Sequence, residues 1–227
     1  MPRRLYIPEQ VLKSITDHVN TAINKSVDGF WSANADEDTI TGHLCGCLKT
    51  GIHNVEVTQD QINGTWKWSI DYAKFSGRGK NAAESFIGAD GIIELALTFG
   101  SRTESKAILF QAKNDWQIDR KLAKQTMLLS TWREAAIVIN YTPTGFSAYS
   151  IDSIITSKGD RKKAKGELNL KPTLTEFFLR CKIGDTDLSY DARTRKLVWR
   201  DTNGIRVATQ FSIPRRVRIE IQSPKHK

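Results

Sequence analysis

The sequence predicts a mixed α/β fold in which helices flank a central sheet. Apolar residues recur at helical spacing over residues 8–25, whereas residues 65–75 alternate between apolar and polar side chains, as a half-buried strand does. Residues 135–140, with the sequence AAIVIN, form a short apolar run that is typical of a strand buried on both faces. Helical and strand patterns therefore follow one another along the chain, which favours a layered α/β architecture.

Two helices are predicted before the first strand. The first covers residues 8–25, with Pro8 near its first turn. The second begins after a capping residue, Asn34 or Asp36, and ends before Gly51. The core-facing positions are Val11, Leu12, Ile15, Val19, Ala22 and Ile23 in the first helix and Ile40, Leu44 and Leu48 in the second.

A β-hairpin is predicted in the middle of the chain. The segments FIGADGIIELALTF (86–99) and KAILFQAK (106–113) are joined by the turn GSRTES, so two antiparallel strands would lie side by side. A further strand-like segment at 53–59 comes before residues 65–75, and a Gly-rich, basic loop at 76–85 leads into the hairpin.

The remainder of the chain divides at residue 157. A helix at 117–132, with Ile118, Leu122, Met127 and Leu128 toward the core, belongs with residues 1–157, the predicted α/β core. Residues 158–227 form a basic C-terminal extension, with a charged link, a helix at 172–181 and alternating segments that predict a small antiparallel sheet. These segments are KLVWRD, IRVATQF and VRIEIQ. The pattern leaves open whether the extension packs on the core.

Composition excludes several classes of protein. An apolar content of 39% argues against wholesale disorder, and no apolar run approaches the roughly 20 residues that span a bilayer. Three cysteines, an odd number, fit a reducing compartment, and no secretory signal is visible, so we expect a cytoplasmic protein without membrane contact. A phosphate-binding P-loop and a Ser-His-Asp arrangement are both missing from the sequence.

The net charge of +9 is concentrated at one end of the chain. Residues 158–227 hold 18 Lys and Arg against 8 Asp and Glu, and residues 1–157 hold 16 against 17. A basic region of this kind predicts a polyanionic partner, bound through phosphate contacts and counterion release. Solubility alone is the alternative explanation.

Three polar residues of the hairpin suggest a metal site. Strand alternation puts Gln111 and Lys113 on one face, about 6 to 7 Å apart. Asp90, in the sequence GADG, lies on the preceding strand, where small neighbours leave room for a ligand. A carboxylate and a carboxamide oxygen on adjacent strands could bind one hard cation such as Mg²⁺, with the ammonium beside the attacked phosphate.

These residues resemble the motif of the PD-(D/E)xK nuclease superfamily. An Asp at the start of one strand is followed by Gln-x-Lys at the end of the next, and this QxK form is most similar to the Mrr-type restriction endonuclease branch. Over residues 35–140 the resemblance implies a restriction-endonuclease-like core. It also implies Glu37 from the upstream helix as an additional ligand, with Asp38 as the alternative, and the carbonyl of Ala112 as a further one. The implied cofactor is Mg²⁺ or Mn²⁺.

Each candidate also has a structural explanation. Asp90 could be only a turn residue, Glu37 a favourable charge in the first turn of a helix, and Lys113 a solvated strand end. Glu94 shares a strand face with Asp90 but lies roughly 13 Å along the strand, too far to bind the same cation. We therefore expect Glu94 to be exposed or to face the substrate.

Four groups of basic residues are predicted to bind nucleic acid. Phosphate contacts from such groups position a backbone, and a solvated surface is the alternative. The groups are Arg78 and Lys80 in the loop before the hairpin, Arg120, Lys121 and Lys124 on the helix at 117–132, Arg161, Lys162 and Lys163 in the charged link, and Arg216 and Arg218 in the last strand.

The function predicted from these features is metal-dependent hydrolysis of DNA phosphodiester bonds, in restriction or anti-phage defence as the resemblance implies. RNA is an alternative substrate. Cleavage of both DNA strands would need two active sites, which favours a homodimer on geometric grounds alone. Two rival functions stay open. One is a non-catalytic nucleic-acid-binding or assembly module with a nuclease fold, and the other is a nuclease subunit of a larger defence complex that a partner gates.

Overall fold

The structure is a computed structural model that describes residues 5–33, 36–58, 60–75, 87–200, 203–209 and 211–224. Its helices are α1 (Glu9–Asp28), α2 (Phe30–Ala33), α3 (Glu37–Leu48), α4 (Arg120–Leu129), α5 (Ile151–Ser157) and α6 (Leu170–Pro172). A 3₁₀ segment (Ser130–Ala135) follows α4, and wider helical turns (Thr173–Phe178) continue α6. Among the described residues, every helix is too short or too polar to cross a lipid bilayer.

The strands are β1 (Thr50–Val57), β2 (Gly64–Lys74), β3 (Gly91–Phe99), β4 (Arg102–Asn114), β5 (Ala136–Thr142), β6 (Gly145–Ser150), β7 (Leu168–Asn169), β8 (Leu188–Asp191), β9 (Lys196–Arg200), β10 (Arg206–Ala208) and β11 (Arg215–Gln222). Eight of them form one mixed sheet in the order β1-β2-β11-β3-β4-β5-β6-β7, and the other three form a small sheet in the order β10-β9-β8. The predicted mixed α/β class, with helices flanking a large central sheet, is confirmed.

The two faces of β4 enter different hydrophobic cores. Ile108, Phe110 and Ala112 pack with residues of α1 and α3, whereas Ala107 and Leu109 pack with residues of α4, α5 and the small sheet. This alternation follows from the two-residue period of a strand, and the burial of residues 106–113 on both faces explains the apolar run in this part of β4. The face of Ala107 and Leu109 is also the face that carries Gln111 and Lys113.

The predicted hairpin and the predicted second helix are both present. β3 and β4 pair antiparallel, with Gly91 opposite Phe110, and the amide of Asp90 donates to the Phe110 carbonyl at 2.8 Å. Helix α3 begins immediately after Asp36, whose side chain accepts a hydrogen bond from the Thr39 amide. Helix α3 therefore begins at Glu37, the residue of this helix that the sequence analysis names as a candidate ligand.

The last strand departs from the prediction. VRIEIQ was expected in a small sheet with the other tail strands, but β11 lies in the large sheet, antiparallel to β2 and parallel to β3. In the small sheet, β9 pairs instead with strand β8, which was not predicted. Residues 158–227 therefore contribute to both sheets: β8, β9 and β10 form the small sheet, whereas β11 lies between two strands of residues 1–157.

Helix α4 buries a different face from the one predicted. Ile118, Met127 and Leu128 are 71%, 64% and 42% exposed, so these predicted core positions are wrong and only Leu122 is buried. The buried stripe of α4 consists of Leu122, Gln125, Thr126 and Leu129. Thr126 is accommodated in it because its hydroxyl donates to carbonyls of its own helix, and the backbone of Gln125 packs against Gly88.

Candidate functional site

Asp90, Gln111 and Ala112 form a buried hydrogen-bonded cluster at the end of the hairpin. Gln111 Nε2 donates to Asp90 Oδ2 at 2.6 Å, and the Ala112 amide donates to the same oxygen at 2.8 Å. Gln111 Nε2 also lies 3.2 Å from the Ala112 carbonyl oxygen. Gln111 is fully buried and Asp90 is 8% exposed, so neither residue is a simple surface turn.

The glycine after Asp90 makes this close approach possible. A Cβ at Gly91 would lie 2.4 Å from the Phe110 ring, far inside van der Waals contact, so any larger residue would push β3 away from β4. The sequence Asp-Gly therefore does more here than favour a turn, because it lets the Asp90 carboxylate reach the backbone of the neighbouring strand.

Lys113 lies between two carboxylates beside this cluster. Its Nζ is 3.7 Å from Glu37 Oε2 and 3.5 Å from Asp119 Oδ2, and its side chain is 10% exposed. Asp119 was not predicted as a site residue. It caps α4 through Oδ1, which accepts a hydrogen bond from the Leu122 amide at 2.9 Å. An Asp directly before a helix is typical of such a cap, and this is the only signal for Asp119 that the sequence carried. The structure thus brings Glu37, a candidate ligand, to Lys113 and adds Asp119.

A second unpredicted residue, Arg215, joins the two ends of the site. Its guanidinium donates to the Asp90 carbonyl at 3.3 Å and to the Asp38 carbonyl at 3.5 Å, and it also pairs with the Asp38 carboxylate. We call this arrangement the Arg215 clamp. Burial lowers the pKa of Arg215, whereas the carboxylates of Glu37 and Asp36 raise it. The Asp38 carboxylate is therefore engaged by the clamp and by Lys74, whereas the Glu37 carboxylate faces Lys113.

The residues of the cluster fit a hard divalent cation in their chemistry. The Asp90 carboxylate, the Gln111 carboxamide and the Ala112 carbonyl are all oxygen ligands. Gln111 Oε1 is buried and accepts no hydrogen bond from the described residues, and a half-turn of the carboxamide would bring it to the position beside Asp90. No three His, Cys, Asp or Glu side chains in the described ranges cluster as a metal site, so a cation here would also need amide, carbonyl and water oxygens.

Two of the predicted basic groups converge next to Lys113. The Asp119 amide donates to the Gly159 carbonyl at 3.0 Å, and the Arg161 amide donates to the Gln117 carbonyl at 2.9 Å. These bonds hold the charged link against the start of α4. The solvent-facing residues of this basic surface are Arg120, Lys121, Lys124, Lys162 and Lys163, with Arg161 partly exposed.

Arg216 and Arg218 do not join this surface. Arg216 is bonded to Glu94 and only 12% of its side chain is exposed, so its prediction as a nucleic-acid contact is wrong. Glu94 is itself 3% exposed and accepts from the Tyr190 amide at 2.7 Å, which corrects the expectation that it is exposed or faces the substrate. Arg218 lines a separate cleft of about 570 Å³ with Glu94. Arg78 and Lys80 lie outside the described residues.

Comparison with protein-family models, with curated proteins and with solved structures finds no match to this chain.

Proposed function

We propose that this protein is a metal-dependent nuclease that hydrolyses phosphodiester bonds of DNA. The proposal gives it a restriction-endonuclease-like core of the PD-(D/E)xK superfamily, with a QxK motif similar to the Mrr-type branch. One observation carries it: β4 contributes both Gln111, which contacts Asp90, and Lys113, which contacts Glu37, so three separate stretches of the sequence come together at one end of this strand. A role in restriction or anti-phage defence belongs to the same proposal.

The proposed reaction uses these residues in distinct roles. Asp90, Gln111, the Ala112 carbonyl and Glu37 would hold Mg²⁺ or Mn²⁺, which supplies a polarised water and offsets charge on the phosphoryl oxygens. The water oxygen forms a bond to phosphorus while the bond from phosphorus to one ester oxygen breaks, and that oxygen leaves as a hydroxyl after gaining a proton. The Lys113 ammonium offsets the negative charge that develops at the phosphate.

The basic surface supports a nucleic acid as the substrate. Arg120 and Lys163 of this surface, together with Lys158, border an open groove of about 610 Å³ beside α4, a few residues from Asp119; the Asp160 side of the link also lines it. Cations arranged in this way contact phosphates without reading the bases, so they favour DNA and RNA alike. We propose DNA as the substrate, and two copies of the chain would be needed to cut both strands.

The test compares cleavage by the wild-type protein with cleavage by Asp90→Ala and Lys113→Ala. Plasmid, linear and single-stranded DNA and RNA are incubated with Mg²⁺ or Mn²⁺. Asp71→Ala and Lys49→Ala are matched controls, because this exposed ion pair carries the same residue types at the end of α3 and on β2. We expect both site variants to lose cleavage and both controls to retain it. Equal activity in all five proteins would point to a contaminating nuclease and refute the proposal.

A non-catalytic nucleic-acid-binding module is the second candidate. One observation favours it: the Asp90 carboxylate already accepts two hydrogen bonds, and Lys113 already lies between two carboxylates, so the site forms a closed network without a cation. Binding with a steep dependence on salt, in the absence of cleavage by any of the proteins, would establish this function instead. Cleavage that appears only when a partner protein is added would identify a gated subunit.

A further inference from the structure

Asn140 is a buried polar residue whose side chain is unexplained by the fold. It is 1% exposed, and neither its Oδ1 nor its Nδ2 has a hydrogen-bond partner among the described residues. Buried amides in folded proteins are almost always satisfied, so an orphan of this kind indicates a bound water, an ion or a ligand. The residue stands at the end of the apolar run AAIVIN, where an aliphatic side chain would pack without this cost.

Asn140 lies directly beside Lys113 in the sheet. The two residues are register partners in the parallel pair of β4 and β5, so their side chains share a face and their backbones are about 4.8 Å apart. Asn140 is paired on its other side with Ser147 of β6. A polar row thus continues from the candidate metal site across the sheet, away from Asp90.

A cavity of about 300 Å³ adjoins this row. Its wall is formed by Asn140, Thr142, Thr144, Tyr149, Arg161, Lys162 and Glu167. The volume is at the lower end of the roughly 300–1,000 Å³ that small-molecule sites occupy. Burial raises the pKa of Tyr149 to about 12, so its hydroxyl stays protonated near neutral pH. The wall therefore combines an amide, hydroxyl groups, the Glu167 carboxylate and two cations, of which Arg161 also pairs with Asp115, and an apolar ligand would not match it.

We propose that this cavity is a nucleotide subsite, in which the Asn140 carboxamide binds the edge of a nucleobase and Arg161 and Lys162 bind its phosphate. A carboxamide presents one donor and one acceptor side by side, and adjacent donors and acceptors are what base edges offer. A free phosphate would use the two cations but would leave the amide acceptor without a donor. The position beside Lys113 makes the bound nucleotide the neighbour of the scissile phosphodiester, a part of the inference that rests on the proposed function.

The test is direct binding of mononucleotides to the full chain in the presence of EDTA. The four 2′-deoxynucleoside 5′-monophosphates are titrated by ¹⁵N-resolved NMR, with deoxyribose 5-phosphate and inorganic phosphate as ligands that lack a base. The Asn140 side-chain amide resonances are assigned from their absence in Asn140→Asp. We expect these resonances to shift with at least one nucleotide, and that nucleotide to bind roughly ten-fold or more tightly than deoxyribose 5-phosphate.

Two variants separate base recognition from phosphate binding. Asn140→Leu, which removes an unsatisfied amide at similar volume, should keep or raise the midpoint of urea unfolding and abolish the preference for nucleotides over deoxyribose 5-phosphate. Lys162→Ala should weaken all phosphate-bearing ligands alike. A folded Asn140→Leu or Asn140→Asp protein that retains the preference would overturn the proposal. So would a wild-type protein that binds deoxyribose 5-phosphate as tightly as every nucleotide, since a buried water would then explain Asn140.

This experiment is independent of cleavage. Asp90→Ala serves as a further control, because it removes the candidate metal ligand but not the cavity wall. If Asp90→Ala and the wild-type protein both show base-dependent binding and the wild-type protein cuts nothing, the subsite proposal stands and the nuclease proposal is refuted. If the wild-type protein cleaves DNA but shows no base-dependent binding, the nuclease proposal stands and the subsite proposal is refuted.

Discussion

Replacing Gln111 with Glu would add a second carboxylate to a buried cluster that already contains one. Gln111 Nε2 lies 2.6 Å from Asp90 Oδ2, and the two residues are 0% and 8% exposed. Two unit charges about 4 Å apart repel by about 4 kcal/mol at an effective dielectric constant of about 20. At 1.36 kcal/mol per pKa unit, this repulsion corresponds to a rise of about three units for one carboxyl group. The metal-free Gln111→Glu protein should therefore bind one additional proton near neutral pH.

The sign of the pH dependence follows from this rise. The pKa of the new carboxyl is raised in the folded state by like charge and burial, while in the unfolded chain it stays near 4.3. The variant should match wild type below about pH 4 and lose stability as the pH rises through the folded-state pKa. Without metal, we expect it to be less stable than wild type by up to about 4 kcal/mol at high pH. A bound divalent cation would offset most of this difference.

Urea unfolding with EDTA or with Mg²⁺, across this pH range, measures the effect. Gln111→Leu is the control, because it removes the amide without adding charge. We expect Mg²⁺ to stabilise Gln111→Glu far more than either wild type or Gln111→Leu, and cleavage by Gln111→Glu to equal or exceed that of wild type. A Gln111→Glu protein whose stability is insensitive to Mg²⁺ would refute the assignment of the cluster as a metal site.

Three other perturbations test the surrounding structure. Arg215→Lys should weaken Mn²⁺ binding, measured calorimetrically, and lower the free energy of unfolding by about 1–3 kcal/mol, because an ammonium cannot replace the forked contacts of the clamp. An unchanged affinity for Mn²⁺ would contradict the positioning role of Arg215. Gly88→Ala should destabilise the fold by more than about 1 kcal/mol, since its φ is 71° and a Cβ would meet the Gln125 carbonyl oxygen at 2.2 Å. The matched change Gly46→Ala, in open space on α3, should stabilise it by about 0.5–1 kcal/mol in the same urea assay. Burial raises the pKa of the Cys45 thiol to about 12, so alkylation at about pH 8 should modify Cys45 only after unfolding; rapid modification of the folded protein would contradict its burial.

Local patterns predicted the hairpin end of the candidate site well. Strand alternation placed Gln111 and Lys113 on one face, and a single turn between two apolar strands brought Asp90 alongside. The start of α3 at Glu37 followed from a capping residue ahead of an apolar stripe. Each of these inferences depends on neighbours within one or two elements, and the physical rules at that range are strong.

The residues that the sequence could not assign act over longer distances. VRIEIQ alternates in the same way whether it joins a small sheet or the large one, so its pattern did not reveal that Arg215 would reach Asp90. Glu94 looked exposed because its partner, Arg216, lies in that same distant strand. Asn140, like the cap Asp119, did carry a local signal, since an amide at the end of a fully buried strand has a cost that requires an explanation.

The position of β11 affects how the protein can fold during its translation. The strand is near the end of the chain, yet it separates β2 from β3 and carries the residue that clamps Asp90 to α3. While residues 215–222 are still inside the ribosome, β11 is missing from its place between β2 and β3, so β3 has no partner on one side. Pairings between such distant segments also form slowly. If the protein cuts nucleic acid, its active site can therefore assemble only after residues 215–222 have been translated.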